Sequence, residues 1–455
     1  MMPRIRVAAS QRYHAVPMAT TTTTLSGPRP LAARVRALKP SATLAVGARA
    51  KELKAAGVDV LSFAAGEPDF DTPEPIKEAA KKAISNGMTK YAPVPGDNDS
   101  RSAIAEKLTS ENSIPGVTPE HVVVSTGGKQ SLFNLFMALL DPPGEGTDAR
   151  RVILPVPAWV SYAPQAELAG GEIHEVVTTP ETGFRMTPDQ LDEALTPDSR
   201  VLVLNSPSNP CGTMYSPDDI RALGAVIERV TTGPAPRCPH LVVVTDEIYE
   251  KLVFDGQEHF SIGSIPSIAE RVLTVNGLSK AYAMTGWRVG YFAGSGDFGL
   301  EVAKATAKLQ SQSTTAIPTF ILPTLRVAFE QCQGFVEHLR STFEQRAEVM
   351  YNGLTAIDGL VCPRPTGAMY AFPDVSAHFG KATPKGTRID SALSFSQALL
   401  DEHHVALVPG EDFGTGGEKC CRLTYACATE QIEKGMLNGA SAGAEGSGWG
   451  VSGVL

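Results

Sequence analysis

Gly277-Leu278-Ser279-Lys280-Ala281-Tyr282-Ala283-Met284-Thr285-Gly286-Trp287-Arg288-Val289-Gly290 is the stretch that decides how this chain is read. It follows an apolar run, Val272 to Val275, of the kind that forms a buried strand. Glycines and hydroxyl residues surround a single lysine, Lys280, and Arg288 follows shortly after. A lysine needed only for solubility would lie on a polar helix face. This one stands at a strand end, where open α/β sheets form their ligand crevices. Burial there disfavours the ammonium form and leaves an amine able to make a Schiff base.

Working outward, the same pattern repeats. Apolar runs at Val122 to Val124, Val152 to Leu154, Val201 to Leu204 and Leu241 to Val244 alternate with helical spacing at Gln130 to Leu140, Trp159 to Leu168 and Pro217 to Val230. Continuous apolar strands alternating with helices predict an α/β fold with a mostly parallel sheet covered on both faces. Helical spacing also marks Ser41 to Ala56 and Pro73 to Ile84, with a short strand at Val60 to Ala64. Beyond Lys304 the texture changes to long helices and short strands near Met369 and Val405. The expected organisation is a leader or disordered segment over 1–27, an N-terminal part of a small domain over 28–71, and a large cofactor domain over 72–311. The rest of a small α+β domain would span 312–438, with a disordered Gly/Ser-rich tail over 439–455.

Composition narrows the function classes. The 455 residues are 42% hydrophobic, with no apolar run of membrane-spanning length. A net charge of −9 argues against a nucleic-acid surface. Seven cysteines, an odd number with no CxxC pair, read as reduced thiols and predict no metal site. No Asp or Glu precedes Glu52, while Arg4, Arg6, Arg12 and the run Thr20 to Thr24 fall within the leader. That is the composition of an organelle transit peptide, with plastid import the expectation and mitochondrion or cytoplasm the alternatives. Gly439-Ala440-Ser441-Ala442-Gly443 matches a hydrolase elbow, but it lies in low-complexity sequence without the strand and helix that motif needs.

The strand ends carry a consistent chemistry. Val122 to Val124 leads into Ser125-Thr126-Gly127-Gly128-Lys129, where glycines at a helix N-terminus favour an anion such as phosphate. Val201 to Leu204 leads into Asn205 to Gly212, and Leu241 to Val244 into Thr245-Asp246-Glu247-Ile248-Tyr249. With Trp159, Lys280 and Arg288, the chain offers a phosphate cradle, an aromatic face, an acid, a phenol and an amine. Pyridoxal 5′-phosphate needs that set.

With Arg34 to Thr43, Ala65-Gly66-Glu67-Pro68-Asp69-Phe70-Asp71-Thr72-Pro73, Gly127 to Gln130, Trp159-Val160-Ser161-Tyr162 and Arg422-Leu423-Thr424-Tyr425-Ala426 added in order, the sequence resembles class I, fold-type I pyridoxal-phosphate aminotransferases. Within them it is similar to the bacterial-type aspartate/prephenate aminotransferases, a subgroup that includes plastid prephenate aminotransferases of plants. The likeness runs from about Leu31 to Glu433. It implies that Lys280 holds the cofactor and shuttles the substrate proton, and that Asp246 pairs with the ring nitrogen. It further implies that Tyr249 and Asn209 bond the ring oxygen and that Trp159 stacks on the ring. Arg288, Ser279 and the Gly128 region would take the phosphate. Tyr91 would reach the phosphate of a neighbouring copy in a homodimer. Arg422 would clamp the substrate α-carboxylate, Gly66 would line the pocket, and Lys129 would meet a second carboxylate. Lys39 and Thr43 match positions associated with prephenate use.

Each piece alone has a bland reading: Trp159 as core, Asp246 as a helix cap, Arg422 as an ion pair, Lys129 as the first residue of a helix. None of these accounts for the pieces occurring together in order. Cys211 stands where threonine is usual after Asn209-Pro210, and Gly277 where animal-type relatives carry a phosphate-binding serine. The final family helix looks cut short near Leu437. The resemblance thus implies transamination between L-aspartate or L-glutamate and 2-oxo acids such as 2-oxoglutarate and oxaloacetate, and from prephenate to L-arogenate. A lyase of the aminocyclopropane-carboxylate synthase kind on the same fold is the alternative. A non-enzymatic regulator would need a DNA-binding module before Leu31, where there is too little chain.

Overall fold

A computed structural model of the chain describes residues 31–38 and 42–440. The chain divides into two units, 1–39 and 40–455. Of the first, one helical turn, Ala33–Arg36, is described. The expected transit peptide and nearly all of the tail lie outside the described residues. The last helix runs Thr429–Ala440.

In chain order the strands of the second unit are β1 (Leu61–Ser62), β2 (Val122–Thr126), β3 (Arg151–Val156), β4 (Glu172–Val177), β5 (Ser199–Asn205) and β6 (Val242–Asp246). They continue with β7 (Val272–Gly277), β8 (Val289–Gly294), β9 (Tyr370–Ala371), β10 (Val405–Ala406), β11 (Val408–Pro409) and β12 (Cys421–Thr424). Among the described residues, seven form one sheet in the order β2-β8-β7-β6-β5-β3-β4. Only β8 runs against the others, pairing antiparallel with both β2 and β7. β5, β6 and β7 are buried along almost their whole length, because helices cover both faces.

Two strands of the seven-stranded sheet were not legible beforehand, nor were β11 and β12 outside it. β4 reads Glu-Ile-His-Glu-Val-Val on the sheet edge, with one face wet, so its apolar run is interrupted. β8 follows directly on the short turn Thr285–Trp287, so its first residues fall inside the Gly277 to Gly290 stretch and its apolar run is short and glycine-broken. The helix expected from Trp159 begins at Tyr162 instead.

Local chemistry explains the covering helices. Pro217–Thr231 starts with a capping box, in which Ser216 Oγ accepts from Asp219 N at 3.1 Å and Asp219 Oδ2 accepts from Ser216 N at 2.9 Å. Ile220, Leu223, Ile227 and Val230 recur at helical spacing and are buried. Each such side chain removed from water contributes roughly 1.5–3 kcal/mol. On the other side of the molecule β1 pairs parallel with β10, and Val46, Ala50 and Val60 pack with Leu400 and Ala406. Residues 42–63 therefore fold against the C-terminal part of the chain. Among the described residues, no helix is long and apolar enough to cross a membrane.

Candidate active site

Because six sheet strands share one direction, their C-terminal ends meet along one edge, and β8 starts there. A cleft of about 580 Å³ opens at that edge. It collects Gly128, Lys129, Trp159, Asn209, Asp246, Tyr249, Ser279, Lys280 and Arg288 from the sheet side, and Gly66 and Arg422 from the opposite wall.

Lys280 follows β7 and donates from Nζ to the Gly66 carbonyl at 2.6 Å. It lies 5.9 Å from the centre of the Tyr249 ring. Asp246 ends β6 and is 6% exposed. Its Oδ2 accepts from the Tyr162 hydroxyl at 2.8 Å and its Oδ1 from the Ile248 N–H at 3.2 Å. Burial pushes its carboxyl up to about 6, against the opposing pull of Tyr162, Ile248 N–H and Lys280. Burial, and then the Asp246 charge, raise the Tyr162 phenol well above its usual range, so it is an O–H donor at all ordinary pH.

The phosphate end is built by close approach. The helix Gly128–Leu139 begins here, and its first N–H groups have no intrahelical partners. Gly127 has φ +78°, and a Cβ on it would lie 2.4 Å from Arg288 Nη2. A Cβ on Gly290 would lie 2.1 Å from Gly128 N. These two glycines let β8 and the Arg288 guanidinium come up against the helix start. Arg288 itself has φ 56° and donates to the Thr285 carbonyl at 2.9 Å. Lys129 places Nζ 4.8 Å over the Trp159 ring. Burial first, and then Arg288, lower its ammonium below the usual lysine range.

On the opposite wall Arg422 Nη1 donates to Asn209 Oδ1 at 3.0 Å and Nη2 to the Ala64 carbonyl at 3.3 Å. Its buried Nε has no partner among the described residues. Since Asn209 Oδ1 is engaged, only its amide nitrogen remains to serve a ring oxygen. Asn209 is itself fixed by its N–H to Asn205 Oδ1 at 2.8 Å. The Tyr249 hydroxyl is 3.0 Å from that of Tyr370. Burial first, then Tyr370, keep the Tyr249 phenol well above its usual range.

The donor set fits pyridoxal phosphate. A helix start and a guanidinium face one end, a buried carboxylate suits a ring nitrogen, and an amine and an indole lie between them. Of three further expected residues, one stands apart from the cleft. Tyr91 is 92% exposed and borders a separate groove with Ile317 and Pro318. Lys39 lies outside the described residues. Thr43 is in the helix Ala42–Ala55, with its side chain outside the described ones. Sequence reading missed Tyr162 as the partner of Asp246, Gly127 as the seat of Arg288, and Tyr370 and Phe413 beside Arg422. Gly127 had a signal in the glycine pair at the helix start, and Tyr162 in its place three residues after Trp159; Tyr370 and Phe413 had none.

A second polar network lies behind Asp246. Lys107 Nζ donates to Glu250 Oε1 and to Asn112 Oδ1, the latter at 2.6 Å. Asn112 Nδ2 donates to Glu250 at 2.5 Å and Ser261 Oγ to Glu247 at 2.8 Å. Burial opposes ionisation of Glu250, but Lys107, then His259 and Lys251, outweigh it and hold the carboxyl down at about 2. Burial and then Glu250 push Glu247 up to about 8. Glu247, Glu250 and His259 bring ligand atoms within 4.8 Å of one another. The Lys107 ammonium already supplies the positive charge there.

Residues 58–436 match the family model described as aminotransferase class I and II. An aspartate/prephenate aminotransferase from Thermus thermophilus is 44% identical over 412 residues, covering 90% of this chain and 97% of the relative. An aspartate aminotransferase from Bacillus subtilis is 39% identical, covering 89% and 97%. Among solved structures, the aspartate aminotransferase of Thermus thermophilus with maleate is 43% identical with a TM-score of 0.79, covering 90% of this chain and 98% of that one. That of Rhizobium meliloti is 39% identical with a TM-score of 0.81, covering 90% and 96%.

Proposed function

The chain belongs to the class I and II aminotransferases, and from that premise we propose that its cleft moves an amino group between L-aspartate or L-glutamate and 2-oxo acids, prephenate among them. The observation that carries this reading is the placement of two cations, Lys129 and Arg422, in one cleft with Lys280 and Asp246. One carboxylate needs one cation, so a second cation suits a dicarboxylic substrate.

Bound in this cleft, pyridoxal phosphate would supply an electron sink for the carbanion chemistry of amino transfer. The protein residues do the rest. Lys280 Nζ would hold the cofactor and would take the substrate Cα proton as general base. Asp246, oriented by Tyr162, would hold a proton at the ring nitrogen. The planar fork of Arg422 fixes the α-carboxylate and so aims the Cα–H bond at Lys280. Trp159 would stack on the cofactor and exclude water from it.

Two copies would complete the site, each lending Tyr91 to the other's phosphate. Support for this is the exposure of Tyr91 away from its own cleft. The acid-free, threonine-rich leader supports plastid import, which a fluorescent fusion of residues 1–30 would test; a diffuse cytosolic signal would contradict it. For the reaction, the purified enzyme is given aspartate, glutamate and a monocarboxylic donor against 2-oxoglutarate, oxaloacetate and prephenate. Glutamate formed from aspartate and 2-oxoglutarate is the expected result. Elimination products without amino transfer would point to the lyase alternative.

A further inference from the structure

We propose that Tyr370 is a positioning residue that couples the carboxylate clamp Arg422 to the phenol of Tyr249. The inference rests on the aminotransferase reading and on Tyr249 facing the cofactor ring oxygen.

The sheet register puts Tyr370 there. β9 pairs antiparallel with β12, with Tyr370 opposite Thr424. Arg422 is two residues along the same strand, hence on the same face and diagonal to Tyr370. The Arg422 guanidinium carbon lies 4.6 Å from the Tyr370 ring centre and 5.3 Å from that of Phe413. Two aromatic rings thus flank the guanidinium and hold its plane, while Asn209 and the Ala64 carbonyl take two of its nitrogens.

The other end of Tyr370 meets Tyr249, with hydroxyls 3.0 Å apart and rings nearly perpendicular at 83°. Gly66 lies alongside that hydroxyl, at a distance where a Cβ would make ordinary contact with it, 3.4 Å. Either oxygen of the pair can donate. With its O–H directed at the cofactor ring oxygen, Tyr249 would leave its own oxygen to accept, and Tyr370 would be the donor. A chain of two hydroxyls then points at the ring oxygen, and each bond polarises the next. The charged groups facing this chain are Arg422 under Tyr370, and Lys280 and Asp246 beside Tyr249. One side chain therefore spans the substrate-carboxylate side and the ring-oxygen side of the site.

The test separates the ring of Tyr370 from its hydroxyl, using holoenzyme without substrate. Two readouts are taken: the pH midpoint of the cofactor's visible absorbance, and the Kd of unreactive maleate. Tyr370→Phe keeps the ring, so maleate affinity should stay within about 2-fold. It weakens Tyr249 as a donor to the ring oxygen anion, so the pH midpoint should rise. The rise should have the same sign as in Tyr249→Phe and be smaller. Tyr249→Phe/Tyr370→Phe should shift no further than Tyr249→Phe alone, because the Tyr370 hydroxyl acts only through Tyr249. Tyr370→Leu removes the ring too and should weaken maleate by roughly 3- to 30-fold. An unmoved midpoint in Tyr370→Phe alongside a moved one in Tyr249→Phe would overturn the proposal, as would additive shifts in the double variant. An unmoved midpoint in Tyr249→Phe would instead overturn the placement of Tyr249 against the ring, and the coupling with it.

Discussion

The Tyr162 hydroxyl donates to the Asp246 carboxylate at 2.8 Å inside the protein, with the Ile248 N–H on the other carboxylate oxygen. This bond favours the charged form of a carboxylate that burial has already pushed up to about 6. Tyr162→Phe removes a donor to the charged form, so the Asp246 carboxyl moves further up. Cofactor affinity should fall by about 10-fold, as for loss of a hydrogen bond to a charged group. The acidic limb of affinity against pH should move to higher pH. A limb that stays in place would show that Tyr162 only fills space.

Asp246 itself destabilises the cofactor-free protein. Its carboxyl is raised from 3.8 to about 6 by burial, so the folded state binds the proton more tightly than the unfolded chain. Stability therefore falls as pH rises from about 4 to about 6, and the deficit persists above that. Asp246→Asn should raise apoenzyme stability at neutral pH by on the order of 1–3 kcal/mol. The difference should vanish near pH 4, while cofactor-dependent turnover falls at all pH. Denaturant unfolding at the two pH values, with and without cofactor, checks both parts.

Lys280→Ala should abolish transamination and the absorbance band that reports covalent attachment, with noncovalent binding retained through Arg288 and the start of Gly128–Leu139. Near-normal turnover would remove Lys280 from the mechanism.

Lys129→Met tests the second carboxylate. An unpaired carboxylate in a half-dry cleft is costly. Efficiency with aspartate and with prephenate should drop by about 10- to 100-fold, and a monocarboxylic donor should be spared. Because Lys129 also lies over Trp159, equal losses for all three would mean that it mainly supports the indole.

Glu250→Gln should be strongly destabilising although it is outside the cleft. The Lys107 and Glu250 side chains are 4% and 8% exposed, and removing one partner leaves a buried charge uncompensated. The expected loss is about 3–5 kcal/mol. Lys107→Met/Glu250→Gln should recover part of it. A single variant as stable as the parent would show that Glu247, freed of the Glu250 charge, ionises in its place.

How much of this was legible in the sequence differs from one residue to the next. The strands ending at Asp246 and Gly277 announced themselves because burial on both faces leaves an unbroken apolar run. Lys280 and Asp246 were legible because polar residues at the ends of such runs emerge at one sheet edge, whereas Arg288, which precedes β8, was assigned by the family resemblance. The edge strand Glu172–Val177 was hidden, since one wet face breaks the pattern.

What the sequence by itself determined is the mostly parallel sheet and the chemistry carried along its edge. Both follow from periodicity and from residues adjacent in the chain. Only the tertiary structure decided which partner each group has. Tyr162 on Asp246, Arg422 on Asn209, and Tyr370 on Tyr249 join residues 84, 213 and 121 positions apart. Contacts of that separation depend on strand register and loop closure, which no local pattern of side chains encodes.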